Sequence, residues 1–397
     1  MPGGMVSLPT LKISKVCQFF NILVLVGCAL GNIKQPLASP LALITPTLDV
    51  TATPVRPALI ATTRPVVTDT PAQSSKIIDP KNLAQLSILK QWDVEGVSYY
   101  ESNNFWFSDS KQFVVINSDG LQSLKVDDLT PTWFIKSFTL DFTINENDQV
   151  LFNLRGLNIF DRQGAELQTI HAKSLCDVTE RAANFIVAIP GTNLVVTGIQ
   201  DHYDENNVGY DKARLLIWDV SKNSCSELIK FDGFLSSLSA SDDGRHIGYN
   251  VVIKTTGEKK FITRIYDLTL RKEKCELNVG FAVCFSSQNW LAVYDSKEGM
   301  VSLVTLDDCA YKLKFSVGSE IVYAFAISPG GELLAGVTDH AIRFWDVQTG
   351  EKLRELDSGN NEWVIGFSPD GRFLVTAQKG TSSADKDIVK LWGIQGK

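Results

Sequence analysis

The 397-residue sequence predicts an all-β fold made of seven copies of one antiparallel unit. Two recurring phrases and one missing strand predict it. The first phrase runs from an apolar residue and a small polar one, through a turn, into a hydrophobic strand. Its copies are "FSDSKQFVVI" from Phe107, "INENDQVLFN" from Ile144, "AIPGTNLVVT" from Ala188, "ASDDGRHIGY" from Ala240, "FSSQNWLAVY" from Phe285, "ISPGGELLAG" from Ile327 and "FSPDGRFLVT" from Phe367. They start 37, 44, 52, 45, 42 and 40 residues apart. The copies are rich in Val, Ile, Phe and Tyr, and Gly or Asp turns break the chain at strand-length intervals. That rhythm belongs to antiparallel sheet and not to a helical repeat. The second phrase alternates apolar and polar residues into an aromatic or aliphatic residue, usually followed by Asp. It reads "LQSLKVDD" at 121–128, "LNIFDRQG" at 157–164, "ARLLIWDV" at 213–220, "ITRIYDLT" at 262–269, "VSLVTLDD" at 301–308, "AIRFWDVQ" at 341–348 and "IVKLWGIQ" at 388–395. The third observation is the ending, "DIVKLWGIQGK", which leaves no room for the strand that follows the Trp in earlier copies.

Across about 320 residues these phrases resemble the WD-repeat β-propeller family. "FSPDGRFLVTA…VKLWG" and "ISPGGELLAGVTDHAIRFWD" are the most specific copies, and the two opening units are degenerate. The resemblance implies a seven-bladed propeller of four-stranded antiparallel blades over residues 81–397. A sheet of some 40 residues cannot bury both its faces, whereas seven stacked radially bury each against a neighbour. Trp218, Trp345 and Trp392 then fall on third strands, as rings wedged between blades. The family's Gly-His before the first strand is absent: Gly359-Asn360 stands there in the last unit, while Asp339 keeps part of a turn.

The missing strand has a candidate at the other end of the chain. Outer strands carry apolar residues three apart, as in Leu167/Ile170, Leu228/Phe231 and Leu353/Leu356, and Leu86/Leu89 match that spacing. "AQLSIL" also parallels "AELQTI" at 165–170. Residues 83–92 are therefore expected to complete the seventh blade and close the ring, as the family's propellers commonly do.

The segment before the repeats reads in two parts. In residues 1–27, Lys12 and Lys15 precede an apolar run from Val16 to Val26 that ends in small residues. The run is short for a membrane span and has the layout of a secretory signal. Leu25-Val26-Gly27-Cys28 resembles the bacterial lipobox, which implies a lipid on Cys28 and attachment to the outside of a bacterial membrane. Ala29 leaves the leaflet open. Residues 28–80 hold eight of the fourteen prolines, mixed with Thr, Ala and Val. Proline blocks both helix and ladder, so this stretch is expected to be a semi-extended, disordered tether.

Charge and chemistry narrow the function. Residues 77–397 hold 32 Lys and Arg against 43 Asp and Glu, an acidic body that disfavours nucleic acid. Signatures for nucleotide cradling, metalloprotease or serine-hydrolase chemistry are missing. The four histidines (His171, His202, His246, His340) lack metal-ligand spacing and read as surface residues; no cofactor or metal is expected. Cys176, Cys225, Cys275, Cys284 and Cys309 fit no zinc pattern and are expected to be apolar thiols in a sheet, with one disulfide as the alternative. "QDHYDENNVGYDK" at 200–212 lengthens unit three. Asp201, Tyr203, Asp204, Glu205 and Tyr210 make it the candidate partner-contact loop, with weak calcium binding or simple solvation as alternatives. The "SSADKD" connection at 382–387 would share its face. The expected function is a lipid-anchored, monomeric, protein-binding scaffold outside the cytoplasm. A propeller enzyme (hydrolase, lyase or quinoprotein-like) and an envelope-assembly or polymer-binding lipoprotein are the alternatives.

Overall fold

The computed structural model describes residues 76–94, 105–137, 141–154, 156–171, 176, 185–204, 209–255, 258–279, 283–286, 288–338, 340–358, 362–378, 380 and 386–395. The expected signal segment, most of the expected tether, Cys28 and Glu205 lie outside them.

Each pair of phrases folds as one small antiparallel sheet, because its alternation gives every strand one face for each neighbouring sheet. Blade one pairs Gln112–Asn117, Gly120–Lys125 and Pro131–Lys136, with Trp106 bridging Phe113 where an inner strand belongs. Blade two is Thr143–Ile144, Val150–Asn153, Leu157–Phe160 and Glu166–Ile170. Blade three is Phe185–Ala188, Leu194–Asp204, Gly209–Asp219 and Ser224–Asp232. Blade four is Phe234–Ala240, His246–Thr255, Glu258–Asp267 and Lys272–Leu277. Blade five is Val283–Ser286, Trp290–Asp295, Met300–Thr305 and Tyr311–Ser316; blade six is Ala324–Ile327, Leu333–Val337, Ala341–Asp346 and Lys352–Asp357. Blade seven takes Glu362–Phe367, Phe373–Gln378 and Asp387–Ile394 from the end of the chain, and Leu86–Val94 from its beginning. The fold is the expected seven-bladed propeller.

The core lies between blades. Trp218 packs with Leu151, Leu157 and Ile170 of blade two; Trp345 with Trp290 and Leu303 of blade five; Trp392 with Leu333, Val337 and Phe344 of blade six. The ring closes through one cluster joining Phe373, Val375 and Leu391 of blade seven to Phe107, Phe113 and Leu121 of blade one. Burying a large side chain of this kind contributes about 1.5–3 kcal/mol, so the wedges dominate the cohesion of the ring.

Closure has the expected partner but a different register. Ile88 lies opposite Trp392, and the strand runs from Leu86 opposite Ile394 to Val94 opposite Asp387. In blade two Phe160, which occupies the Trp position, lies opposite Glu166. Leu89 and Trp92 are thus the counterparts of Leu167 and Ile170, three residues beyond the pair that the spacing suggested. The reason is a β-bulge. In every blade the outer strand carries one extra residue: Thr132, Leu167, Leu228, Lys274, Lys312, Leu353 and Leu89 for blades one to seven. A spacing of three is incompatible with a regular strand whose two residues share a face, and the bulge supplies the odd residue. The first residue of the motif marks the bulge and sits at the edge of the core: Leu167 is 52% exposed, whereas Leu89 and Leu228 are partly buried against neighbouring core residues.

Candidate functional site

An antiparallel blade puts its turns at alternate ends, so the ring has two unlike faces. One carries the connections from first to second and from third to outer strands. The other carries those from second to third strands and from each outer strand to the next blade.

The first face is made of tight turns. In blade seven the Ser368 hydroxyl donates to Asp370 and accepts from the Phe373 amide at 2.9 Å, while Arg372 N–H donates to Asp370 Oδ1 at 3.0 Å. Blade four repeats this with Ser241, Asp243 and Arg245. There Gly244 sits at φ +67°, and a Cβ on it would lie 2.2 Å from the Pro190 carbonyl oxygen, so only glycine fits. The Asp that ends the second phrase caps the other turn: Asp346 accepts from the amides of Gln348 and Thr349, and Asp267 from those of Thr269 and Leu270. The Lys222 ammonium and Ser221 hydroxyl hold the equivalent Asp219 down to about 2. The chain enters the ring on this same face. Ile78 N–H donates to the Gly371 carbonyl at 2.9 Å, Leu83 is buried, and Arg354 donates to the Leu83 carbonyl.

The opposite face is uneven: among the described residues, two neighbouring blades carry strands that outgrow their inner strands, while most of the 382–387 connection of blade seven lies outside the described residues. In blade three the second strand meets the inner strand only as far as Gly198, yet it continues to Asp204 and pairs with the third strand out to Asp204 opposite Gly209. In blade four the second strand leaves the inner strand at Val252 and continues to Thr255 opposite Glu258. At about 3.3 Å per residue these ribbons extend some 20 and 10 Å beyond the last clamped residue. Gln200 fixes the base of the first, its amide donating to the Leu235 carbonyl of blade four at 2.9 Å.

Four of the five candidate contact residues, Asp201, Tyr203, Asp204 and Tyr210, lie on the first ribbon in strands; Glu205 lies outside the described residues. Tyr203 is opposite Tyr210, Asp204 opposite Gly209, and Asp201 falls at the register shift between Gln200 and His202. The second ribbon was missed. Its signal is "VVIKTTGEKKFI" at 251–262, two β-rich runs about a Thr-Gly turn. The two ribbons carry opposite charge in sequence: Asp201, Asp204, Glu205 and Asp211 against Lys212 on one, Lys254, Lys259 and Lys260 against Glu258 on the other.

Polar groups are also buried inside the blades. In blade seven, where the family would have its Gly-His, Lys390 Nζ donates to Glu362 Oε1 at 2.6 Å and to the Ser358 carbonyl. Lys390 is 5% and Glu362 0% exposed. Burial pushes the Glu362 carboxyl up, against the pull of Lys390. Trp392 Nε1–H donates to Thr376 Oγ1 at 3.0 Å, and Trp218 does the same to Thr197 at 2.9 Å. His246 is a correction to the surface reading: it is 2% exposed, with Asp267 at 3.7 Å and Asp243 at 3.9 Å. Burial pushes its imidazole down. Among the described residues no group of three His, Cys, Asp or Glu is placed to hold a metal ion.

The cysteines correct a second expectation. Four of the five are paired, Cys176 with Cys225 and Cys275 with Cys309, with Cα separations of 5.9 and 6.2 Å. The first bond ties the stretch after blade two to the outer strand of blade three. The second ties the outer strand of blade four to a turn of blade five. Ring geometry brings these sulfurs together, and linear spacing carries no trace of it.

Comparison with known proteins gives partial similarities, and no family model matches. Over 106 residues the chain is 31% identical to small ribosomal subunit protein RACK1y of Oryza sativa subsp. japonica, covering 26% of this chain and 30% of that one. It is 25% identical to protein groucho of Drosophila melanogaster over 187 residues, 43% of this chain and 24% of the relative. It is 30% identical over 112 residues to eukaryotic translation initiation factor 2A of Schizosaccharomyces pombe, 28% of this chain and 19% of the relative. The chain thus spans less than a third of the length of each of these relatives. With the seven-bladed fold, the similarities support a propeller of the WD-repeat type.

Proposed function

We propose that this chain is a protein-binding or scaffold module held outside the cytoplasmic membrane of a bacterium by a lipid on Cys28. The observation that carries the reading is the division of the ring into two faces. The chain enters through the tight-turn face at Ile78 and Gly371, and the two long ribbons rise from the other. The described chain thus enters the ring on the face away from the ribbons, and contact segments raised on a rigid scaffold are where recognition residues concentrate. The two disulfides support an oxidising compartment, where such bonds form and persist.

Crosslinking in native membranes, followed by mass spectrometry, tests the contact face. Wild type is compared with a chain in which residues 201–211 and 254–259 are each cut back to a two-residue turn. A protein captured by wild type and lost from the trimmed chain is expected. Equal capture by a trimmed chain that melts normally would refute the reading. Fatty-acid labelling tests the anchor separately: label on wild type and none on Cys28→Ala is expected, and equal labelling removes the lipid from the proposal.

A further inference from the structure

Everything N-terminal to Lys76 joins the ring by one route, and that route runs through the strand that closes it. Ile78 and Leu83 are buried against Leu333 of blade six and Leu374 of blade seven, and the 3-10 turn Leu83–Gln85 leads directly into Leu86–Val94. The strand begins at the tight-turn end, with Leu86 opposite Ile394, and finishes at the ribbon end, with Val94 opposite Asp387. We propose that the joint between Leu86–Val94 and Asp387–Ile394 is load-bearing: tension between the anchored N-terminal segment and a partner on the ribbon face passes through it in shear. The proposal rests on the lipid-anchor and contact-face readings above, since only a chain held at both ends is under tension.

Three observations carry it. The first is direction. Hydrogen bonds of an antiparallel pair lie perpendicular to the strands. A pull on Leu86 that is opposed at the ribbon face draws the two strands past each other, so the eight paired positions from Leu86 to Val94 bear it together. A pull applied at the Leu86–Ile394 end alone would open them one after another. The second is the bulge. Leu89 is the extra residue between Ile88 and Lys90, so the strand cannot slip to a new register without moving the bulge with it. Leu89 and Trp92 pack against the core that joins blades seven and one, and Val94 is buried in it. Leu86 packs with Leu333 and Trp392, so the strand is keyed to blades six, seven and one at once. The third is the clamp ahead of the strand. Ile78 N–H donates to the Gly371 carbonyl at 2.9 Å, and Arg354 of blade six donates to the Leu83 carbonyl. Between these two points the chain is tied to itself: the Lys81 and Asn82 amides donate to Asp79 Oδ1 at 2.8 and 2.9 Å, and Asn82 Nδ2–H donates to the Ile77 carbonyl at 2.6 Å.

Optical-trap pulling on single molecules tests this. DNA handles are attached to pairs of introduced cysteines in a full-length chain whose Cys17, Cys28 and Cys284 are replaced by alanine, with both disulfides intact. Ser75→Cys with Lys386→Cys loads the joint in shear, because Lys386 is exposed beside Asp387 at the ribbon end. Ser75→Cys with Gln395→Cys loads it from the Leu86–Ile394 end, where Gln395 is exposed. Forced rupture reports the barrier along the pulled direction and not the equilibrium stability, so the two chains can melt alike and still break differently. At one loading rate the shear pair is expected to rupture at about twice the force of the end pair or more. The end pair is expected to release first a segment of about 20 residues, about 70 Å of chain at ~3.6 Å per residue. A force ratio below two overturns the proposal, and so does an end pair whose first event is the unfolding of several blades. The measurement involves neither membrane nor partner. If the joint fails it, the lipid anchor and the contact face still stand or fall by fatty-acid labelling and by crosslinking of the trimmed chain.

Discussion

Replacing Lys390 by Met isolates the energetics of the last blade. Methionine keeps the apolar stem of the side chain and removes the ammonium, so volume barely changes. Two acceptors then lose their donor: the Glu362 carboxylate, fully buried, and the Ser358 carbonyl. Breaking a buried pair by removing one partner costs about 3–5 kcal/mol, because the other charge stays uncompensated. At roughly 2 °C per kcal/mol for a ring of this size, the melting temperature should fall by about 6–10 °C. The pH dependence gives a second signature. Burial already raises the folded-state pKa of Glu362, and losing Lys390 raises it further. A carboxyl with a raised folded pKa binds more protons folded than unfolded, so the loss is largest above that pKa and shrinks as pH falls toward the unfolded value. Lys390→Met should therefore be furthest below wild type near pH 8 and approach it near pH 5. Adding Glu362→Leu removes the stranded charge and should recover most of the loss at pH 8. Calorimetric melts of the three proteins across this range decide it. A single variant within 1 kcal/mol of wild type, or a double variant no better than the single, would refute the argument.

Deleting residues 82–94 removes Leu83, Leu86 and Val94 from the core and should cost several kcal/mol, at about 1.5–3 kcal/mol for each large side chain, whereas a cut of equal length within 35–70 should leave the melting curve unchanged. Cys225→Ser and Cys275→Ser, which open loops of 49 and 34 residues, should each lower stability by about 2–4 kcal/mol, and thiol counting under denaturing conditions should rise by one in each. His246 is held neutral by burial, reinforced by Lys274 and Arg245 and opposed by Asp243 and Asp267. Its folded pKa lies below the unfolded value near 6.5, so stability is complete above that pH and declines as pH falls through it, by at most about 1.4 kcal/mol per unit. His246→Asn should flatten that slope in chemical denaturation from pH 7 to 5, and an unchanged slope would assign it to another group.

What could be read from the sequence follows from what repeats. Blade count and closure were legible because every strand must offer alternate faces to two neighbours, which writes the same phrase seven times. Register was harder. Leu86/Leu89 and Leu89/Trp92 are both apolar pairs three apart, and only the bulge at Leu89 selects the second. The disulfides join residues 49 and 34 apart, whose proximity exists only once the blades stand side by side. Lys390 and Glu362 lie 28 residues apart at positions where composition alone would put charges outside, and each is tolerated in the core because the other is there. The acidic stretch at 200–212 looked like a loop because Asp and Asn are depleted in strands. Cross-strand pairing from Tyr203 to Tyr210 overrides that preference locally.

The same ring that hides its pairings from the sequence separates stability from recognition. Trp wedges, Ser-Asp-Gly turns and the borrowed strand lie between blades or on the tight-turn face, where a change of one atom is felt by two sheets. The ribbons of blades three and four continue past the last residues clamped by their inner strands, so their outer pairs can change without opening an inter-blade core. Charge on them is therefore free to be set by what they touch. A fold with no such division would have to trade each contact residue against packing.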